Sequence, residues 1–426
     1  MDTKRQTIVV IGLGYVGLPL VVEFSKYFQV IGFDTNEKRV KELNACMDVT
    51  KELTSDDLHE CISERGAQIT YEELTITGKD FYIVCVPTPV DDRFEPDLTA
   101  VKLASMLVGR VIKRGGTVIY ESTVYPGATE EDCIPLVAAA SGLKRTEDFY
   151  FGYSPERINP GDRNSSITGV VKVTSGCCEK SSLMIDELYG KIVTAGTYRA
   201  KSIRVAEASK VFENVQRDVN IALVNEFSML CHALSIDTQD VLKASSTKWN
   251  FMPFSPGLVG GHCIGIDPYY LIHKAKTVGY NLDITMQARK INESMPYFIV
   301  QQLKDHLLLR DSPARNCKVL IMGYTFKENC PDTRNTKVKE VVNELTKLAC
   351  KIHVYDPWVD SSELNIHGVN FIDSIGLESY DAVIVAVKHK IFVDYDSSEW
   401  ARILKNKPIF FDLKNCCPYF DSNFTL

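Results

Sequence analysis

Thirteen cysteines occur in this 426-residue chain, and one of them, Cys263, lies in the stretch GLVGGHCIGIDPYYL from Gly257 to Leu271. Gly257, Gly260, Gly261 and Gly265 make the stretch too flexible for a helix or strand interior, because glycine carries the largest backbone entropy cost. Backbone of this kind can approach a ligand closely. His262 precedes the thiol and Asp267 follows it, just before Pro268. A thiol and a carboxylate on permissive backbone make a nucleophile's environment. A cysteine buried in an ordinary turn is the competing reading.

The other end of the chain carries a second chemistry. Gly12, Gly14 and Gly17 form a GxGxxG, completed by Tyr15 and Val16, and Asp34 follows at the end of the next apolar run. Glycines at this spacing allow a tight turn and a close approach of pyrophosphate to a helix N-terminus, while the distal acid binds the adenosine ribose. That acid repels a 2′-phosphate, so NAD is expected over NADP; Arg39 nearby is the one residue pointing the other way. Thr88 in PTP and Thr123 in EST end two further apolar runs, where ligands of open α/β sheets sit. Lys210, Asn214 and Arg217 fall three and four apart on a helical pattern and so share a face. Glu207 and Glu213 on that pattern are expected to be solvated. Glu156 and Arg157 sit in the Pro-flanked loop SPERINPG.

The elements that must position these residues are legible as two echoes. Thr7–Gly12, Gln29–Asp34, Phe81–Val86 and Thr117–Thr123 read as buried strands, with a helix near Val16–Tyr27. Lys318–Gly323, Lys351–Pro357, Asp381–Val387 and Pro408–Leu413 repeat the order, with a helix near Lys337–Ala349. Continuous apolar strands alternating with helices mean parallel sheets covered on both faces. The expected fold is α/β: two Rossmann-like, doubly wound domains joined by a helical middle, with divisions at 1–200, 201–312 and 313–426. The second repeat lacks the GxGxxG, so it should bind something other than a dinucleotide. In the middle, Ile203, Ala206, Val211, Val215, Val219, Ala222, Leu223 and Phe227 mark one long connecting helix from Ser202 to about Leu234, and a second should span Thr285–Leu309, kinked or restarted at Pro296.

Composition narrows the class. Apolar residues make up 45% and charged residues 24%, as in a globular protein, and the net charge of -7 gives no basic footprint for nucleic acid or an anionic membrane. No run reaches transmembrane length, and the N-terminus has no secretory h-region. The odd cysteine count, without Cys-x-x-Cys, is cytoplasmic usage rather than a disulfide framework, and no spacing indicates a metal site.

Together GLGYVGLP, PTP, EST, SPERI, the Lys-x-x-x-Asn helix, GGHC-x-x-x-D and FK-x6-R resemble the nucleotide-sugar 6-dehydrogenases, almost end to end. That resemblance implies two NAD-dependent oxidations of a sugar C6 alcohol to a carboxylate, through a thioester. It implies Cys263 as nucleophile, Lys210 as acid/base with Asn214 beside it, and Asp267 as a positioning group. Glu156 would serve thioester hydrolysis and Thr123 would hold a water. Arg157, Ile158, Arg217, Lys248, Gly260, Lys327 and Arg334 match substrate-contacting positions, and a homodimer or higher homo-oligomer is implied. His262, Lys248 in place of an arginine, and Lys414 in FDLKN depart from the UDP-glucose pattern and point to the UDP-N-acetylhexosamine (GlcNAc or GalNAc) branch, which supplies surface polysaccharides. UDP-glucose, UDP-ManNAc or GDP-mannose oxidation remains open. So do a one-step hydroxyacid or 6-phosphosugar dehydrogenase, which needs no thiol, and a non-enzymatic NAD-sensing scaffold.

Overall fold

A computed structural model describes residues 6–50, 52–157, 167–310, 316–361, 364–376, 379–405 and 407–426. The chain forms two compact units. One comprises Met1–Glu213 and Tyr269–Tyr280, the other Asn214–Pro268 and Asn281–Leu426.

In the first unit, the strands are β1 (Thr7–Ile11), β2 (Gln29–Phe33), β3 (Gln68–Thr70), β4 (Phe81–Val84), β5 (Thr117–Tyr120), β6 (Tyr150–Tyr153), β7 (Lys172–Gly176) and β8 (Thr197–Arg199). They form one sheet in the order β3-β2-β1-β4-β5-β6-β7-β8. β4 and β5 are buried at every position, as strands covered on both faces must be. Pairing is parallel except between β6 and β7, where Gly152 faces Gly176 across an antiparallel step. The core packs Ile8 and Val10 of β1 against Leu18, Val21 and Phe24 of the helix Gly17–Ser25, and against Ile185 and Leu188. Each such fully buried side chain contributes about 1.5–3 kcal/mol.

The second unit repeats the plan with β9 (Lys318–Met322), β10 (Lys351–Tyr355), β11 (Val369–Phe371), β12 (Ala382–Val385) and β13 (Ile409–Asp412), ordered β11-β10-β9-β12-β13 and parallel throughout. Alternate residues of β9 serve opposite cores. Val319 and Ile321 pack with Ile299, Leu303, Val341 and Leu345, whereas Leu320 and Met322 pack with Phe392, Trp400 and Ile403. This is the doubly wound arrangement expected from the sequence.

The long helix runs Ile203–Leu234 and the second Asp283–Leu309, continuing through Pro296. The long connecting helix is as expected, but its apolar stripe is only partly buried. Ile203, Ala206, Val211 and Val215 are buried, but Leu223 is 62% exposed and Phe227 is also exposed. Among the described residues no helix is long and apolar enough to cross a membrane, and no cluster of three His, Cys, Asp or Glu side chains could hold a metal ion.

Candidate active site

The first unit places the glycine turn between β1 and its helix. Gly12 has φ +93°, a conformation few side chains tolerate, and a Cβ there would meet the Cys85 carbonyl oxygen at 2.9 Å. A Cβ on Gly17 would lie 1.8 Å from the Gly12 carbonyl oxygen, so this helix start admits only glycine, while Gly14 faces open space. Tyr15 and Val16 are half-buried, Val16 against the sheet core. Asp34, at the end of β2, accepts the Leu13 N–H (2.8 Å) and the Asn36 N–H (2.9 Å) and stays half-exposed. A tight turn at a helix N-terminus with an accessible acid beside it fits NAD. Arg39 does not offer a 2′-phosphate site. It is 8% exposed, its Nε donates to the Leu13 carbonyl (3.1 Å), and its Nη1 pairs with buried Asp48 (2.8 Å). It braces the turn from beneath.

The loops after β4 and β5 are tied together. Thr88 Oγ1 donates to the Thr123 carbonyl (2.7 Å), and the Tyr270 hydroxyl donates to the Thr88 (2.9 Å) and Pro89 (3.1 Å) carbonyls. Tyr270 belongs to the helix Asp267–Thr277, which begins just after the cysteine loop.

Behind these loops lies a buried charge cluster. Lys172 Nζ contacts Glu121 Oε2 at 2.6 Å and Glu156 Oε2 at 3.3 Å, and the Tyr189 hydroxyl donates to Glu121. Burial pushes the Glu121 carboxyl up to about 7 against the pull of Lys172. The reverse holds for Lys172: burial would lower it, but Glu121 and Glu156 together raise it above the ordinary lysine value and keep it charged. Arg157 forms a two-point bond with Glu213 (2.7 and 3.3 Å) and donates to the Val171 carbonyl (3.0 Å).

Two expectations fail here. Glu213 is not merely solvated, because it holds Arg157. Glu207 is fully buried, its carboxylate accepting the Gly127 N–H at 2.5 Å and the Thr129 N–H at 2.9 Å. Burial drives its carboxyl up to about 7, with the two amides opposing. The loop after β5 thus supplied a reason to bury an acid that helical periodicity alone does not reveal. Lys210, 8% exposed, makes no hydrogen bond or ion pair among the described residues.

The second unit holds the cysteine. Cys263 is the exposed one of the thirteen, in a turn whose carbonyl accepts the Ile266 (3.1 Å) and Asp267 (2.9 Å) N–H groups at the head of the helix Asp267–Thr277. The glycines before it are required by close packing. A Cβ on Gly260 would meet the Asn335 carbonyl oxygen at 2.6 Å, and one on Gly261, at φ +80°, would meet the Phe326 ring at 2.6 Å. Asn225, three helical turns beyond Asn214, clamps the loop's start: its amide accepts the Gly257 N–H (2.8 Å) and donates to the Gly257 carbonyl (3.0 Å). Asn292 and Asp218 hold Asn225 in turn. Lys414 Nζ lies against Gly257, and burial lowers its ammonium.

Asn214 and Asp267 are buried and bonded, the Asn214 amide N–H donating to the carboxylate while its oxygen accepts from Arg217. The shared helix face is therefore real for Asn214 and Arg217. Arg334 forms a fork with Asp332 (2.9 and 2.7 Å), and these interactions hold Asp332 below the ordinary carboxylate range although burial opposes them. His262 lies near this pair; burial first, then Arg334, lowers its imidazole. Lys327 is half-buried, whereas Lys248 is exposed beside Trp249. Ile158 lies outside the described residues.

Residues that sequence reasoning missed are Glu121, Lys172, Asn225 and Tyr270. Glu121 opens the EST motif and Asn225 falls in register with Asn214 on the long helix, so both carried a signal. Lys172, on a strand, carried none.

Residues 6–193 match the NAD binding domain of the UDP-glucose/GDP-mannose dehydrogenase family, 204–294 its central domain and 320–419 its UDP binding domain. The chain is 49% identical over 412 residues to a UDP-N-acetyl-D-glucosamine 6-dehydrogenase of Salmonella typhi, covering 96% of each chain. It is 48% identical to one of Pseudomonas aeruginosa, covering 96% of this chain and 97% of the other. A solved UDP-D-ManNAc dehydrogenase from Pyrococcus horikoshii superposes with a TM-score of 0.89 at 29% identity, over 99% of this chain and 98% of that one.

Proposed function

The chain belongs to the UDP-glucose/GDP-mannose dehydrogenase family and is an NAD-dependent nucleotide-sugar dehydrogenase, and from that premise we propose that it oxidises C6 of a UDP-N-acetylhexosamine, UDP-GlcNAc or UDP-GalNAc, to the uronic acid. The observation that carries the thiol mechanism is the exposure of Cys263 on a loop fixed at both ends by buried amides and carboxylates. The first oxidation gives an aldehyde, whose sp² carbon offers no hydride until a nucleophile adds. The Cys263 thiolate adds to make a thiohemiacetal, and loss of the second hydride leaves a thioester that water cleaves.

NAD, held by Gly12 to Gly17 and Asp34, supplies the hydride acceptor in both steps. Lys210 takes the C6 hydroxyl proton and steadies developing oxyanion charge. Asn214 and Asp267 orient the group beside the thiol, Thr123 holds a water, and Glu156 acts as base in hydrolysis. Arg157, Arg217, Lys248, Lys327 and Arg334 supply cations for diphosphate and sugar oxygens, with Ile158 and Gly260 completing the contact set.

The same reading keeps the three-part division at 200 and 312 and the reaction in the cytoplasm, in support of which all thirteen cysteines are free. It also includes a homo-oligomer: Phe212, Leu223, Leu230 and Leu234 leave apolar surface exposed on the long helix. The product would feed surface polysaccharide synthesis.

The test is NADH formation across a panel of nucleotide sugars. The highest kcat/KM is expected for a UDP-N-acetylhexosamine, because a pocket shaped for an acetamido group leaves unpaired polar groups with glucose. A higher value for UDP-glucose or GDP-mannose overturns the branch; no NADH with any sugar overturns the enzyme.

A further inference from the structure

Lys172 is a cation in contact with Glu156, and nothing in the mechanism above uses it. It is almost completely buried at the start of β7, with Glu121 fully enclosed on one side and Glu156 on the other. The groups around it come from every neighbouring element: Cys85 after β4, Glu121 after β5, Glu156 after β6, and Tyr189 from the helix Glu179–Gly190. A buried ion pair of this kind is not retained for stability, since apolar replacements of similar volume are often neutral or better. Its geometry instead does something specific. Glu121 is neutralised from behind by the Tyr189 hydroxyl and Lys172, and Lys172 spends its remaining donor capacity on Glu156. Glu156 Oε1 is meanwhile engaged by the Arg157 N–H at 2.6 Å.

We propose that Lys172, held by Glu121 and Tyr189, is the positioning residue that fixes the Glu156 carboxylate for thioester hydrolysis. This rests on the role given to Glu156 above. In that step the water oxygen bonds to the acyl carbon, the C–S bond breaks, its electron pair leaves on Cys263 Sγ, and a water proton passes to Glu156. A cation 3.3 Å from the carboxylate orients it through a charge-assisted hydrogen bond. Both redox steps precede this one and do not need Lys172.

The test compares Lys172→Met, Lys172→Met/Glu121→Gln, Lys172→Arg and Glu156→Gln with the wild-type enzyme on its best sugar. The double variant removes both buried charges and so keeps the experiment informative if the single variant is poorly folded. Expected for both Met-containing variants is a burst of two NADH per active site, followed by steady-state turnover slowed about 10- to 100-fold, part of the 10²–10⁴ a general base supplies. Mass spectrometry should find acyl adduct on Cys263, and Lys172→Arg should recover most of the rate. Absence of a burst and adduct, or a loss falling equally on NAD affinity and the first hydride, overturns the proposal. If Glu156→Gln is slow while the Lys172 variants are normal, only the link through Lys172 falls. If Glu156→Gln hydrolyses normally, the role of Glu156 falls, and the proposal with it.

Discussion

The two sheets share a strand order and diverge at their first turn. Each opens with a glycine at positive φ, Gly12 at +93° and Gly323 at +90°, pressed against the end of the neighbouring strand in its sheet, β4 or β12. Each ends its second strand in an acid that accepts N–H groups from that turn: Asp34 from Leu13, Asp356 from Tyr324 and Thr325. In the first unit the helix begins at Gly17 and the acid stays half-exposed. In the second the helix waits until Val338, and the acid is buried under His389, whose Nε2 lies 3.1 Å away while its Nδ1 accepts the Asn329 N–H. One scaffold thus leaves its acid accessible, where we propose that it meets a ribose; the other bonds it internally and presents a loop bearing Lys327 and Arg334. The fold sets where a ligand binds, and the first turn sets which one.

The largest break of this comparison is at the glycines. Gly17→Ala puts a Cβ into the Gly12 carbonyl, overpacking worth up to about 3 kcal/mol. Calorimetry should find NAD affinity lowered roughly 100-fold, with uridine diphosphate binding retained. Gly323→Ala should lower the melting temperature but spare NAD affinity. Loss of NAD binding in both variants would mean the two turns are not independent.

Acidity separates the units next. Glu207 has a folded-state value raised from 4.5 to about 7, so its contribution is full below the unfolded value and is lost as pH climbs through 7. At 1.36 kcal/mol per unit this amounts to about 3 kcal/mol. Asp356 is held below its ordinary value: burial opposes, but His389 and the two amides prevail, so its contribution is constant above pH 5 and fades only in acid. Hydrogen exchange at pH 5 and pH 8 should show the first unit weakening and the second unchanged, and Glu207→Gln should reduce the first unit's response, leaving the part that Glu121 contributes. A uniform response in wild type contradicts the assignment.

The acids themselves give the subtlest contrast. Asp34→Ala should weaken NAD binding about 10- to 100-fold, the 1.5–3 kcal/mol of a charged hydrogen bond, and relax the rejection of NADP. Asp356→Ala strips partners from two amides and a buried imidazole, lowering stability with cofactor preference unchanged. Efficient NADP use by the wild-type enzyme would contradict the role of Asp34.

Most of this fold was legible because parallel strands buried on both faces announce themselves as apolar runs; six of them needed only their ends trimmed by a residue or two, and Thr117–Thr123 and Asp381–Val387 lost three each. β3, β8 and β11 were not, being three-residue edge strands with too little pattern to read. The exposure of Cys263 on its glycine loop and the helix face shared by Asn214 and Arg217 were legible through glycine content and helical spacing. Glu207 and Lys172 were not, because what buries each is a partner distant in sequence: an amide pair after β5 for one, two carboxylates after β5 and β6 for the other. Arg39 was misread for the same reason, since only Asp48 reveals that it faces inward.

The thiol-mediated, four-electron oxidation is tested most directly by counting NADH per uronate formed, in wild type and in Cys263→Ser. Two NADH per sugar are expected from the wild-type enzyme. The serine variant, lacking thiolate nucleophilicity, should give at most a trace of product. One NADH per sugar, or near-normal uronate from Cys263→Ser, would contradict the account.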